Sequence, residues 1–294
     1  RSLNSTNLRM RAIFELERSL RYPRALSSSP CLQTRPLRMR VSCAATRGAP
    51  ICAPRLHTLS DMSFWPNSEH WSVKIPLHTD HYRISALDRD GVVDLSPMPI
   101  DVPVEEWKGL DYMDWKSGGD TNFAPLASAD GELDCRGFWD KGKTDKDALW
   151  TSNAEIAPTL KSYVDGVGAN FGRVRVIKLE PQDRETAIRS LHRDDNNRFN
   201  PEGEGWVVRT WVELTDCPDS YMLLMDNDAD GLPDPSTERR VSLQKGARFI
   251  VDTQRLWHVV VHTGDAPRYA LITSFESSPH LAEWVESERA VSSG

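Results

Sequence analysis

The sequence has no CxxC pair, no glycine-rich phosphate loop and no apolar run of membrane-spanning length. Each absence removes a class of function. A bilayer-spanning helix needs about 20 consecutive apolar residues, and no stretch approaches that. "GVGANFG", 166–172, lacks GxGxxG spacing and no GxxxxGK[ST] is present, so the common nucleotide loops are excluded. Cysteine is scarce. Of five, Cys31, Cys43 and Cys52 fall in the first 61 residues, leaving Cys135 and Cys217 for the rest. That number builds neither a disulfide framework nor a zinc ribbon, and suits a reducing compartment.

Acids and lysine are missing where arginine is dense. Residues 1–61 hold eleven arginines, no lysine and three acids, a net +8; the chain total of −7 leaves −15 for the remainder. Serine and proline are frequent there and no helical or strand period is sustained, which suits an organelle transit peptide or an over-extended reading frame ahead of Met62. The expected organisation is a disordered leader over 1–61 and one domain over 62–294. Within that domain, 62–152 is an N-terminal extension and 153–294 a catalytic core. The expected location is the cytoplasm, or an organelle matrix or stroma if the leader is a transit peptide. The acidic body argues against a nucleic-acid partner, and nothing points to a membrane partner.

From 63 to about 150 the chain is dense in tryptophan, proline and aspartate, with short apolar pieces read as strands and loops. Helical spacing over 153–171 places Ile156, Leu160, Tyr163, Val164 and Val167 on one face, with Asn153 as N-cap. The period then changes to two. "GRVRVIKLEP" sets Val174, Val176 and Lys178 against Arg175, Ile177 and Leu179. Six further strand-like runs follow: "GWVVRTWVEL", "SYMLLM", "RRVSL", "ARFIVDT", "LWHVVVHTG" and "RYALITSFES". "HLAEWVESERAV" reads as a closing helix. Seven or so short strands separated by turn residues predict an antiparallel sandwich or barrel, mainly β with flanking helices.

Within this frame "SLHRDDNNRFN", 190–200, carries His192 and Asp194 two apart, the spacing that puts both on one strand face. HxD also occurs as His78–Asp80, and so short a pattern arises by chance about once in such a chain. Downstream context separates the two. "RLWHVVVHTGDAPRYALI" supplies His258 on an apolar strand and Arg268 ten residues later, opening the next. Two histidines and one carboxylate on one side of an ion form the facial triad of non-haem iron(II) oxygenases. Three coordination positions then stay open for a bidentate cosubstrate and dioxygen, and an arginine fork suits a distal carboxylate. His262 shares a strand face with His258; its six-residue spacing to Arg268 makes it a turn residue instead. Asp195 faces away from Asp194, towards the loop.

The order HxD, lone histidine, then arginine resembles the iron(II)/2-oxoglutarate dioxygenases. More narrowly it resembles the aspartyl/asparaginyl β-hydroxylase-like branch, which includes free-proline cis-hydroxylases. "VVRTWVEL" offers Arg209, Trp211 and Leu214 where that branch has Arg-x-aromatic-x-x-Leu, although members often carry histidine where Trp211 stands. The resemblance covers about residues 170–276, and the spacer "DNNRFNPEGEG" before Arg209 is longer than usual. It implies a double-stranded β-helix (jelly-roll, cupin-like) core, with Fe(II), 2-oxoglutarate and O2 as cofactor and cosubstrates. His192, Asp194 and His258 would hold the metal. Arg268, Arg209 and Trp211 would face the cosubstrate, and Asp194 favours hydroxylation over halogenation. The implied product set is a hydroxylated amino acid, small acid or Asp/Asn side chain, with succinate and CO2. A small-molecule partner is expected, with Arg193 and Arg198 as candidate substrate residues and a peptidyl Asp/Asn substrate second.

Two other classes stay open. One is a cupin-type divalent-metal enzyme that does not use 2-oxoglutarate, with Arg268 incidental. The other is a non-enzymatic β-rich binding protein. "DNDADGLPD", 226–234, spaces Asp226, Asp228, Asp230 and Asp234 like a calcium loop, but position 12 is Thr237, Glu238 comes one late, and the flanks are strand-like. It reads as an acidic hairpin loop.

Overall fold

The structure is a computed structural model and describes residues 80–114, 121–134 and 136–289. The leader, Met62, His78 and Cys135 lie outside the described residues, as does the division at residue 61. Strands are β1 Val92–Leu95, β2 Met113–Asp114, β3 Thr121–Ser128, β4 Leu149–Trp150, β5 Phe171–Leu179, β6 Val207–Glu213, β7 Ser220–Met225, β8 Arg239–Ser242, β9 Arg248–Val251, β10 Trp257–His262 and β11 Arg268–Glu276. Helices are α1 Glu105–Lys108, α2 Gly137–Asp140, α3 Asn153–Ile156, α4 Pro158–Val167, α5 Arg184–Ile188 and α6 Pro279–Glu288.

The strands form two antiparallel sheets. The larger runs β1-β9-β6-β11-β5-β3-β2, with β4 on β3; the smaller runs β10-β7-β8. His192 adds a bridge to β10 at His258, extending the smaller sheet by one more segment. From β5 onward the chain visits the larger sheet, the 192 segment, the larger sheet (β6), the smaller (β7, β8), the larger (β9), the smaller (β10) and the larger (β11). This winding between two facing sheets is a double-stranded β-helix, as the sequence led us to expect. The seven strands expected after residue 170 are β5–β11.

Side-chain alternation assigns the faces. On β6, Val208 and Val212 pack outward with Leu160, Val164, Leu281 and Val285. Trp211 packs inward with Met222, Leu224, Phe249, Val251, Ala270 and Ile272. Inner positions of β6 are therefore Arg209, Trp211 and Glu213, opposite Ser274, Ile272 and Ala270 of β11. On β5, Val174 and Val176 face the helices, as the alternation predicted.

The helix expected over 153–171 is instead two, α3 and α4, broken at Ala157 (φ −116°, ψ 58°). Pro158 causes the break, because its ring excludes αR from the preceding residue. Ala157 offers no side-chain cap. Glu106 of α1 caps α4 from across the layer, accepting from Thr159 N at 2.8 Å, Leu160 N at 3.3 Å and Thr159 Oγ1 at 2.7 Å. Asn153, expected as an N-cap, is buried and bonds the Asp111 and Pro125 carbonyls.

Gly172 lets the segment at Asp145 approach β5: a Cβ there would stand 2.0 Å from the Asp145 carbonyl oxygen. Gly172→Ala must therefore displace Asp145 and is expected to lower unfolding free energy by at least about 3 kcal/mol. Gly166→Ala, in α4 with nothing within 4 Å of its Cβ, is expected to raise it by about 0.5–1 kcal/mol. Urea denaturation of the two variants checks the contrast.

Candidate metal centre

Among the described residues, His192, Asp194 and His258 form the one set of three metal-capable side chains, with ligand atoms all within 4.8 Å of one another. The backbone places them. His258 N donates to His192 O at 2.8 Å and His192 N to His258 O at 3.2 Å, a directly opposed antiparallel pair. Opposed residues share a face, and the rings lie 4.4 Å apart. Asp194 follows one pleat on, fixed by Asp194 N to Thr253 O at 2.9 Å.

Both rings are oriented alike. His192 Nδ1 meets the Ser190 carbonyl at 2.8 Å and His258 Nδ1 meets the Leu256 carbonyl at 3.3 Å. A carbonyl only accepts, so each Nδ1 carries the proton and each Nε2 keeps its lone pair for a metal. Burial, and then His192 beside it, push His258 down to about 3, so this ring is neutral at ordinary pH. Burial alone would raise Asp194; its charged surroundings, Arg209 foremost, outweigh it and hold the carboxylate well below its usual range. The donor set, two imidazoles and one carboxylate on one face, fits a divalent transition metal with open positions.

His262 is engaged elsewhere. Its Nδ1 pairs with Ser220 Oγ at 2.7 Å and its Nε2 with the Ala266 carbonyl at 2.7 Å. Both of its ring nitrogens already have partners within the protein, whereas His258 belongs to the three-residue group.

Arg209 takes a different place from the one expected. Its Nε donates to Asp194 Oδ2 at 2.5 Å, Nη1 to Ser274 Oγ at 2.9 Å and Nη2 to Asn196 Oδ1 at 2.7 Å. Each of its three nitrogens has an acceptor within the protein, and its Nε bond orients the Asp194 carboxylate. Asn196 also donates to Asp194 Oδ2 at 3.2 Å. Asp145, fully buried, takes Arg173 Nε at 2.8 Å, Arg173 N at 2.7 Å and Ser274 Oγ at 2.9 Å, with Arg209 Nη2 at 3.5 Å. Trp211 stacks on Phe249, 5.5 Å between rings, and meets His258 edge-on at 6.3 Å.

Arg268 opens β11 as expected, but its fork is closed. Nε donates to Glu213 Oε2 at 2.9 Å and Nη2 to Glu213 Oε1. Nη1 is buried without a hydrogen-bond partner. Arg193 alternates away from the triad, half-buried, over the outward Trp257 ring at 5.2 Å. Arg198 bonds Asp195 Oδ2 at 2.5 Å and covers the Trp139 ring at 4.4 Å. Neither contact is to a triad member, so the expectation of two substrate arginines beside the metal finds no support in these contacts.

Sequence reasoning passed over Glu213, Asn196, Asp145 and Ser274. Glu213 had a signal: it continues the inner-face positions Arg209 and Trp211 on a strand of period two. Asp145, from "KTDKDALW", had none. The 226–234 segment is the β7–β8 connection. Asp228 Oδ1 accepts from Asp230 N and Leu232 N, and Asp234 Oδ1 from Ser236 N and Oγ. These are turn bonds, as expected of an acidic hairpin loop.

No family model matches the chain, and no curated protein matches it. Several solved structures resemble it weakly. A 2OG-Fe(II) oxygenase family oxidoreductase from Burkholderia pseudomallei is 11% identical over 67% of this chain and 93% of its own, with a TM-score of 0.40. A Trichoplax adhaerens prolyl hydroxylase in complex with a hypoxia inducible factor peptide is 14% identical over 72% and 91%, TM-score 0.40. A Pseudomonas putida prolyl-4-hydroxylase is 12% identical over 66% and 97%, TM-score 0.35. At these scores the functional reading rests on the chain's own residues.

Asp194→Ala and His258→Ala are each expected to abolish cobalt(II) binding, read from the visible absorption of the loaded protein. His262→Ala should keep that binding and lose about 1–3 kcal/mol of stability, since it unpairs the buried Ser220 hydroxyl and frees the Ala266 carbonyl.

Proposed function

We propose that this chain is an Fe(II)/2-oxoglutarate-dependent dioxygenase. It would hydroxylate a C–H of an amino acid, small acid or Asp/Asn side chain, with release of succinate and CO2. The convergence of His192, Asp194 and His258 on a double-stranded β-helix carries this reading: their ligand atoms lie within 4.8 Å of one another, with His192 Nε2 3.8 Å from Asp194 Oδ1. Bound there, iron with 2-oxoglutarate and dioxygen supplies the oxidising chemistry; the protein supplies position.

The roles of the chain's own residues follow from their contacts. The Ser190 and Leu256 carbonyls hold the imidazole tautomers. Arg209 and Asn196 fix Asp194 so that Oδ2 is spent and Oδ1 is presented. Trp211, rigid on Phe249, walls the site beside His258. Arg268 Nη1 is a buried donor lacking an acceptor, which suits a ligand carboxylate. The aspartyl/asparaginyl β-hydroxylase-like branch is the narrower assignment, supported by Arg209 and Trp211 in β6 and Leu214 just after it. A free small acid is the preferred substrate and a peptidyl side chain the second.

One observation favours a second reading. Glu213 already occupies the Arg268 fork, as it would in a cupin-type metal enzyme that does not use 2-oxoglutarate. An anaerobic titration decides. Fe(II)-loaded protein given 2-oxoglutarate is expected to develop a visible metal-to-ligand charge-transfer band, lost in His258→Ala and kept in His262→Ala. Folded, metal-loaded protein that shows no band favours the second reading.

A further inference from the structure

We propose that Glu213 is a specificity-determining residue that competes for Arg268 and weakens the site's grip on the distal carboxylate of a 2-oxo diacid. The inference rests on the dioxygenase reading and deepens it.

Inner positions of β6 run Arg209, Trp211, Glu213. Glu213 lies one pleat beyond Trp211, about 6.8 Å along the strand. It therefore shares the inner face of β6 with Arg209, which touches Asp194, and Trp211, which flanks His258. Arg268 meets Glu213 there, both side chains fully buried.

An arginine grips a carboxylate best through two parallel N–H bonds from adjacent nitrogens. Here the Nε/Nη2 edge is spent on Glu213, which leaves only Nη1 unpartnered. An incoming distal carboxylate would meet only the Nη1/Nη2 end of a guanidinium whose charge Glu213 already balances, and would stand near the Glu213 carboxylate. Burial raises Glu213 while Arg268 draws it back. The distal carboxylate therefore adds little affinity, and 2-oxo acids lacking it are admitted.

The test compares 2-oxoglutarate with 2-oxopentanoate, which shares the chelating head and chain length but ends in a methyl group. Anaerobic titrations of Fe(II)-loaded full chain are read from the chelate band, so no turnover is needed. For wild type the two dissociation constants are expected to differ by less than about tenfold, short of what a forked charge-assisted pair gives. Glu213→Gln frees part of the fork and is expected to raise the preference for 2-oxoglutarate about tenfold or more, with 2-oxopentanoate binding unchanged. A wild-type preference above about a hundredfold overturns the role of Glu213 while leaving the dioxygenase reading intact. An unchanged ratio in folded Glu213→Gln does the same. If that variant does not fold, the wild-type ratio alone decides. Absence of a band with either acid overturns the dioxygenase reading, and this role with it.

Discussion

A guanidinium buried between two sheets must be surrounded by acceptors, and Arg209 sets that requirement here. Its side chain is 2% exposed and donates to Asp194, Ser274 and Asn196. An unpaired buried cation costs several kcal/mol, so each acceptor is constrained in turn. Asp194 is held on the metal-facing side of its segment. Asn196 is held by Arg173, Arg209 and Thr253 at once. Ser274 relays to Asp145, which draws its segment onto β5. That approach is close enough to exclude any side chain at residue 172. The position of the carboxylate ligand is thus tied to a segment some fifty residues upstream in the chain.

The β-strand pattern was legible because alternation on a half-buried strand is a direct consequence of the pleat. Val174 and Val176 against Arg175 and Ile177 could be assigned to faces before any coordinates. The triad was legible for the same reason: i, i+2 spacing places His192 and Asp194 together, and an apolar strand bearing His258 supplies the partner. The break at Ala157 was also readable from Pro158, but the continuous apolar spacing from Ile156 to Val167 concealed it. Periodicity reports the face of a helix and not the continuity of its axis.

What was not legible involves long-range electrostatics. Arg209 and Arg268 both looked free to receive a ligand, because a sequence shows a cation without its partner. Their partners lie on different elements: Asp194 fifteen residues before one, Glu213 fifty-five before the other. Arg193 failed for a simpler reason. It stands between His192 and Asp194, and the alternation that places those two together turns Arg193 to the opposite face, onto Trp257.

The accounting of carboxylate oxygens explains why one of three arginine-paired acids, and not all three, presents an open oxygen. Arg173, Arg209 and Arg268 are buried among Asp145, Asp194 and Glu213. Both oxygens of Asp145 are engaged, Oδ1 by the Arg173 amide and Oδ2 by Arg173 and Ser274. Both oxygens of Glu213 are engaged by Arg268. Asp194 divides its two. Oδ2 takes Arg209 and Asn196, while Oδ1 stands 3.8 Å from His192 Nε2. A carboxylate oxygen that already accepts charge-assisted bonds has little left to give a cation, and one left open beside two imidazole lone pairs has a ligand's environment. The arginines thus shape the candidate metal centre from outside it: by engaging both oxygens of Asp145 and of Glu213, these contacts leave Asp194 Oδ1 as the one open carboxylate oxygen of the three.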